Sequence, residues 1–181
     1  TYDQFGYYSI AMSGDGNTVA AGLTGGVSIL KTEDFGLTWV NKGSSPQIVL
    51  GTSIGGTKLS YDGNTILVFT NNTYNGPTII YQAFCKIYKF NGTSWVQKGQ
   101  VIAGSRQDLV NGIWVQAPEG NDVTKKNFGG GVGISKDAKT IFLASGPPNT
   151  LIHVWDYNDT SGLWILRSIL YKSMYPSWTS G

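Results

Sequence analysis

The sequence predicts an all-β chain made of antiparallel four-stranded meanders, repeated three times. Three observations carry this. First, one turn is written three times, as Ser13-Gly14-Asp15-Gly16-Asn17-Thr18, Ser60-Tyr61-Asp62-Gly63-Asn64-Thr65 and Ser135-Lys136-Asp137-Ala138-Lys139-Thr140. Each copy opens an apolar run. Second, each is answered by a tryptophan, Trp39, Trp95 or Trp164, at 21, 30 and 24 residues from the closing threonine (39 − 18, 95 − 65, 164 − 140). Third, the composition suits strands and tight turns: 25 glycines, 13% aromatic and only 13% charged residues. Soluble domains ordinarily carry about a quarter charged residues.

The first unit can be read strand by strand. Ile10 and Met12 alternate with Ala11 and Ser13, a half-buried strand of period two. Gly14-Asp15-Gly16-Asn17 reverses the chain, because Asp-Gly supplies the positive backbone angles a hairpin demands. Val19 and Ala21 carry the return strand, Val27, Ile29 and Leu30 the third, and Trp39-Val40 the fourth. The other units place strands near 57–60, 65–70, 83–90, 131–135, 140–145 and 150–157, and again after Trp95 and Trp164. A single meander cannot bury both of its faces, so neighbouring copies must stack on it. Four short strands at a period of about 40–50 residues describe a propeller blade. The expected fold is thus three propeller-type blades, a partial or oligomer-completed β-propeller. The repeats span about residues 5–45, 53–100 and 127–170 of one domain covering 1–181, with an insertion at 103–126. Within the insertion, Ala103–Asp108 reads as a loop and Ile113-Trp114-Val115 as a short strand.

The second turn of the first unit is more specific. Thr32-Glu33-Asp34-Phe35-Gly36-Leu37-Thr38-Trp39 fits the pattern [S/T]-x-D-x-G-x-[T/S]-[W/F] and resembles the Asp-box, a turn motif of sialidase-like and related β-propellers. The resemblance implies a structural role on the outer rim for Thr32, Asp34, Gly36, Thr38 and Trp39. Asn91–Trp95 and Asn158–Trp164 are degenerate counterparts. The lead-ins Asp3-Gln4-Phe5-Gly6 and Asn127-Phe128-Gly129-Gly130 resemble FG-GAP-type repeats of secreted microbial and large-DNA-virus proteins. The second unit has Ile54-Gly55-Gly56-Thr57 instead. Such proteins imply an extracellular or virion-surface setting.

Catalysis is not expected. A sialidase holds its substrate carboxylate with three arginines, and only Arg106 and Arg167 are present. Most of the eleven acids belong to turns, leaving Asp108, Glu119 and Asp122 in the insertion. Glycoside hydrolysis needs a convergent carboxylate pair. His153, between Ile152 and Val154, reads as a packed strand residue, and the single cysteine, Cys85, as a small buried hydrophobe. Ser13, Asp15 and Asn17 alternate as calcium ligands would, but no closing acid follows, so no metal or other cofactor is expected.

Binding is the better expectation. Three stacked blades leave sheet edges that invite pairing, so a protein partner or self-association through open blade edges is expected. Glycans are the alternative, with Trp114 and Trp178 outside the regular repeats offering flat faces; Trp39, Trp95 and Trp164 read as pins holding the blades. N-x-[S/T] sequons at Asn71, Asn91 and Asn158 are expected in turns, as acceptors for N-glycosylation. A net charge of +2 with scattered basic residues excludes a nucleic-acid footprint. No apolar run has the roughly 20 residues of a membrane helix. The start shows neither Met nor a signal-peptide pattern, so a processed product or an excised part of a longer protein is expected.

Overall fold

The computed structural model describes residues 9–23, 26–43, 52–75, 79–110, 113–116, 128–145 and 151–171. Among them are fourteen strands and no helix, in three antiparallel sheets. No helix is long and apolar enough to cross a membrane among these residues. The first sheet orders β1 (Ile10–Met12), β2 (Thr18–Leu23), β3 (Gly26–Lys31) and β4 (Val40–Asn41) as a simple meander. The third does the same with β11 (Phe128–Ile134), β12 (Thr140–Ser145), β13 (Leu151–Asn158) and β14 (Leu163–Tyr171).

The central sheet is wider. Its meander is β5 (Thr52–Leu59), β6 (Thr65–Asn75), β7 (Ile79–Phe90) and β8 (Trp95–Gln97), and a hairpin of β9 (Ile102–Val110) and β10 (Ile113–Gln116) joins it. Strand β7 is long enough for two partners on one side: β8 pairs with Tyr88–Phe90 and β9 with Ile80–Cys85. The stretch Ala103–Asp108 is therefore strand and not the expected loop. Its run from Ala103 through Gly104, Ser105, Arg106 and Gln107 to Asp108 carries no apolar alternation. Backbone pairing to an edge that β8 leaves open holds it in the sheet. Strands β5, β6 and β7 also run beyond the expected 57–60, 65–70 and 83–90. That places Asn71 inside β6, opposite Ser53 and Ala83, and not in a turn.

Stacking follows from β6. Ile66, Leu67, Val68 and Phe69 are all buried, and in a strand successive side chains point to opposite faces. Ile66 and Val68 join Ala11, Ala20, Val27, Ile29, Tyr88 and Trp95 in a core shared with the first sheet. Leu67 and Phe69 join Cys85, Ile87, Ile102, Ile141, Leu143 and Trp164 in a core shared with the third. The central sheet is thus apolar on both sides, and the outer sheets each cover one. Where Ile54 packs on the first sheet the facing residue is small: a β-carbon on Gly22 would lie 3.1 Å from the Ile54 side chain. Both Ile54-Gly55-Gly56 and Phe128-Gly129-Gly130-Gly131 carry a shift of register, with Gly55 extra in the first and Gly129 and Gly130 extra in the second.

The threefold turn is one structure repeated. Ser13, Ser60 and Ser135 each donate a hydroxyl hydrogen bond of 2.6 Å to the aspartate two residues on. Each accepts from the backbone N–H of the closing threonine at 2.9 Å. The aspartate accepts from the N–H two residues beyond it at 3.0–3.1 Å. The fourth position has positive φ in all three copies: Gly16 at 74°, Gly63 at 63° and Ala138 at 55°. A β-carbon at Gly16 meets nothing within 4 Å, but one at Gly63 would lie 2.4 Å from Thr18 Oγ1. Gly16→Ala is therefore expected to cost only the left-handed penalty of about 1 kcal/mol. Gly63→Ala adds overpacking between the first two sheets and is expected to cost about 2–4 kcal/mol in all. Urea denaturation midpoints of the two variants check the order.

Candidate functional site

The Thr32–Trp39 turn is closed by its own side chains. Asp34 accepts at 2.7 Å from Thr32 Oγ1, at 2.9 Å from Thr38 N–H and at 2.5 Å from Thr38 Oγ1. Gly36 N–H donates to Thr32 Oγ1 at 2.9 Å, with Gly36 at φ 89° and Phe35 at φ 57°. The Thr38 hydroxyl and N–H, with the Thr32 hydroxyl, hold the Asp34 carboxyl at about 2. All four bonds are spent inside the turn. Around it Phe35 and Leu37 are fully out in solvent.

The repeats are joined by a second device, which composition and turn patterns alone do not reveal. Lys42 and Lys98 each follow a repeat's tryptophan by three residues, and each is followed by a glycine. Lys42 reaches across to the second sheet, where Nζ donates to the Gly63 carbonyl at 2.8 Å, while its own carbonyl accepts from Trp95 Nε1 at 2.6 Å. Lys98 repeats both bonds one sheet on, to the Ala138 carbonyl at 2.7 Å and from Trp164 Nε1 at 2.8 Å. Each ammonium also lies over a ring of the receiving repeat: Lys42 is 5.5 Å from Phe90 and Lys98 4.3 Å from Tyr157. Those rings pack on Trp95 and Trp164 in turn.

Glycine completes the clasp for a steric reason. Gly43 and Gly99 have φ of 74° and 77°. A β-carbon on Gly43 would lie 2.8 Å from the Thr93 carbonyl oxygen, and one on Gly99 2.6 Å from the Trp164 ring. Burial pushes the Lys42 ammonium pKa down, with Asp62 and Asp15 partly opposing it. The same burial acts on Lys98. The signal that would have found this device is the pentapeptide written twice, Trp39-Val40-Asn41-Lys42-Gly43 and Trp95-Val96-Gln97-Lys98-Gly99.

The third unit departs from it. Trp164 is followed by Ile165-Leu166-Arg167-Ser168, and Arg167 pairs with Asp156 of its own sheet at 3.1 Å. Arg167 falls where the register of β13 and β14 shifts, and β14 runs on unbroken, whereas the central sheet breaks between β8 and β9 at Lys98-Gly99.

The tryptophans differ accordingly. Trp95 and Trp164 are 8% and 1% exposed, each with its indole capped by the lysine carbonyl of the repeat before it. Trp39, expected to be an equivalent pin, is 37% exposed and lies beside Gly36. Trp114 is carried by β10, the edge strand of the central sheet, opposite Leu109. Trp178 lies outside the described residues, as do Glu119 and Asp122. Asn91 is exposed just after β7 and Asn158 is exposed as the last residue of β13, before a turn; each accepts through Oδ1 from two backbone N–H groups just ahead.

Cys85 and His153 are fully buried; burial pushes the Cys85 thiol up and the His153 imidazole down. An open groove of about 600 Å³ runs between the turns of the second and third repeats, lined by Tyr61, Asp62, Ser135, Lys136 and Asp137. Its carboxylates are engaged within their own turns, and Lys136 sits over the Tyr61 ring at 4.4 Å. No group of three or more potential metal ligands comes together among the described residues.

Neither the protein-family models nor the curated proteins contain a match to this chain. Solved structures do. Hydrazine synthase of Kuenenia stuttgartiensis is similar at 15% identity and a TM-score of 0.47, over 90% of this chain and 37% of that one. The β-propeller domain of Myceliophteria thermophila Cps50 (Swd1) is similar at 7% identity and 0.39, over 92% and 58%. Saccharomyces cerevisiae Sqt1 is similar at 8% identity and 0.30, over 94% and 64%. The chain thus spans between 37% and 64% of the length of these three.

Two outcomes test the clasp and the turn. Lys98→Met strands the Ala138 carbonyl and is expected to cost about 1–3 kcal/mol, the range for losing the partner of a buried acceptor or a charged hydrogen bond. Arg167→Met removes only an exposed pair and is expected to be nearly neutral; urea midpoints of both variants separate these cases. The pH test concerns Asp34. Its folded value of about 2 lies below an unfolded value near 3.9, so the stability it contributes is present above about pH 4 and lost as pH falls through 2. Melting temperatures recorded from pH 7 to 2 are expected to fall less steeply below pH 4 in Asp34→Asn than in the unaltered protein.

Proposed function

We propose that this chain is a non-enzymatic interaction module that presents rigid propeller-type sheets to a protein partner. The observation that carries the reading is the exposed state of the outer sheets. In the first, Ile10, Met12, Phe35, Leu37 and Val40 are each more than half exposed, and Trp39 stands a third clear. The reading takes the Thr32–Trp39 turn as an Asp-box with a structural role, supported by an Asp34 carboxylate whose bonds all stay within the turn. It also places the protein outside the cell or on a virion surface. The low charge and the solvent-facing sequons at Asn91 and Asn158 support that setting.

Glycan binding is the second reading, favoured by the position of Trp114 on an edge strand. A glycan array separates the two, since the interaction module leaves it blank. The primary reading is tested by sedimentation of the native protein at micromolar concentration with hydrogen exchange on β1 and β14. Assembly with another chain, and slow exchange in at least one of these strands, is the expected result. A stable monomer in which both exchange fast rejects the module.

A further inference from the structure

We infer that the first sheet carries an open copy of the clasp socket, and that its occupant is another repeat of this type ending in Trp-x-x-Lys-Gly. The inference rests on the interaction-module reading and names the chemistry of its partner. Two sockets in the molecule are filled, and both are built from the same three parts: the carbonyl at the fourth position of the Ser-x-Asp turn, the tryptophan indole N–H, and the carbonyl two residues before that tryptophan or the ring beside it, against which the glycine packs. In the second sheet these are Gly63, Trp95 and Thr93; in the third they are Ala138, Trp164 and Gly162.

Along the chain the first sheet has these three parts in the same order, at Gly16, Trp39 and Leu37, with the indole beside Gly36 and Thr32 in the place of the Phe90 and Tyr157 rings. Its turn is folded identically, with Ser13, Asp15 and Thr18 bonded at the distances of the other copies. Among the described residues no donor reaches the Gly16 carbonyl and no acceptor meets Trp39 Nε1. The tryptophan that is 8% and 1% exposed under a clasp is 37% exposed here. A β-carbon on Gly16 meets nothing within 4 Å, whereas the space at Gly63 is filled by the preceding repeat.

The occupant follows from what the filled sockets accept. A lysine is needed because its ammonium must end on a carbonyl while its own carbonyl caps the indole. A glycine must follow it, because a β-carbon at φ near 75° would enter the receiving repeat's backbone or ring. A second copy of this chain does not qualify. Its Lys42 and Lys98 are already engaged, and its third repeat offers Arg167-Ser168 in an unbroken strand. The partner is a different repeat that carries the Lys-Gly pair at its edge.

The test uses the full chain and a synthetic peptide with the sequence of residues 86–99, in linear form and cyclised end to end to favour the hairpin. The probe is the indole N–H resonance of Trp39 in a proton–nitrogen spectrum, assigned by its loss in Trp39→Phe. The expected result is a saturable downfield shift of that resonance, with the Gly16 and Leu37 backbone signals following. A peptide in which the lysine corresponding to Lys98 is methionine is expected to bind at least about tenfold more weakly, the contribution of one charged hydrogen bond. A peptide with alanine for the following glycine is expected to lose binding. No shift with either form of the peptide at millimolar concentration overturns the proposal, as does equal binding by the methionine peptide. If the peptides fail while β1 is slow to exchange in the native assembly, the module stands and the clasp chemistry alone is lost.

Discussion

A lysine ammonium drawn in from solvent and seated on a carbonyl of the next repeat is the interaction that orders this molecule. The apolar faces of the sheets require stacking but do not specify it, because hydrophobic contact has little directionality. A charge taken out of water must be met by a good partner in good geometry. Lys42 and Lys98 each have one acceptor at under 3 Å, and each also anchors an indole through its own carbonyl. Two bonds in opposite senses at one residue fix both the spacing and the slide of one sheet on the next.

The turns bear the cost of that arrangement. The carbonyl that receives the ammonium belongs to the residue with positive φ, and the Ser-x-Asp network holds that residue in place. In the third repeat an alanine adopts the left-handed conformation, where a glycine would sit more easily. The surrounding bonds, from Ser135 to Asp137 and from Thr140 to Ser135, hold it there. The aspartates that resemble catalytic or metal-binding acids in sequence are thereby used up as turn formers, with their carboxyl pKa values held down by hydroxyl and backbone donors that together outweigh burial where it opposes them.

The repeats are not interchangeable, and their differences give the stack a direction. The first repeat gives a clasp, the second both receives and gives one, and the third receives one and, among the described residues, gives none. Replacing Lys-Gly by Arg-Ser turns the clasp inward, onto Asp156, and lets β14 continue as one strand. In the central sheet the strand breaks at Gly99, and the long edge of β7 that β8 leaves free takes the β9–β10 hairpin.

Much of this architecture was written in the sequence by itself. The threefold Ser-x-Asp turn, the alternation around Ile10 and Met12 and the three tryptophans determine three antiparallel meanders, because turn chemistry and side-chain period act over a few residues. Asp34 and Gly36 are legible for the same reason: their bonds close within eight residues. What only the tertiary structure decided is everything that depends on a neighbouring sheet. The polar run Ala103–Asp108 became strand, and Asn71 was drawn into one, because backbone groups on a long neighbouring edge needed partners and side-chain pattern carries no record of that. Trp39 and Trp95 stand in nearly identical pentapeptides, yet one is exposed and the other buried. The difference lies in whether a lysine of another repeat, 53 residues away in the case of Trp95, comes to rest on the indole.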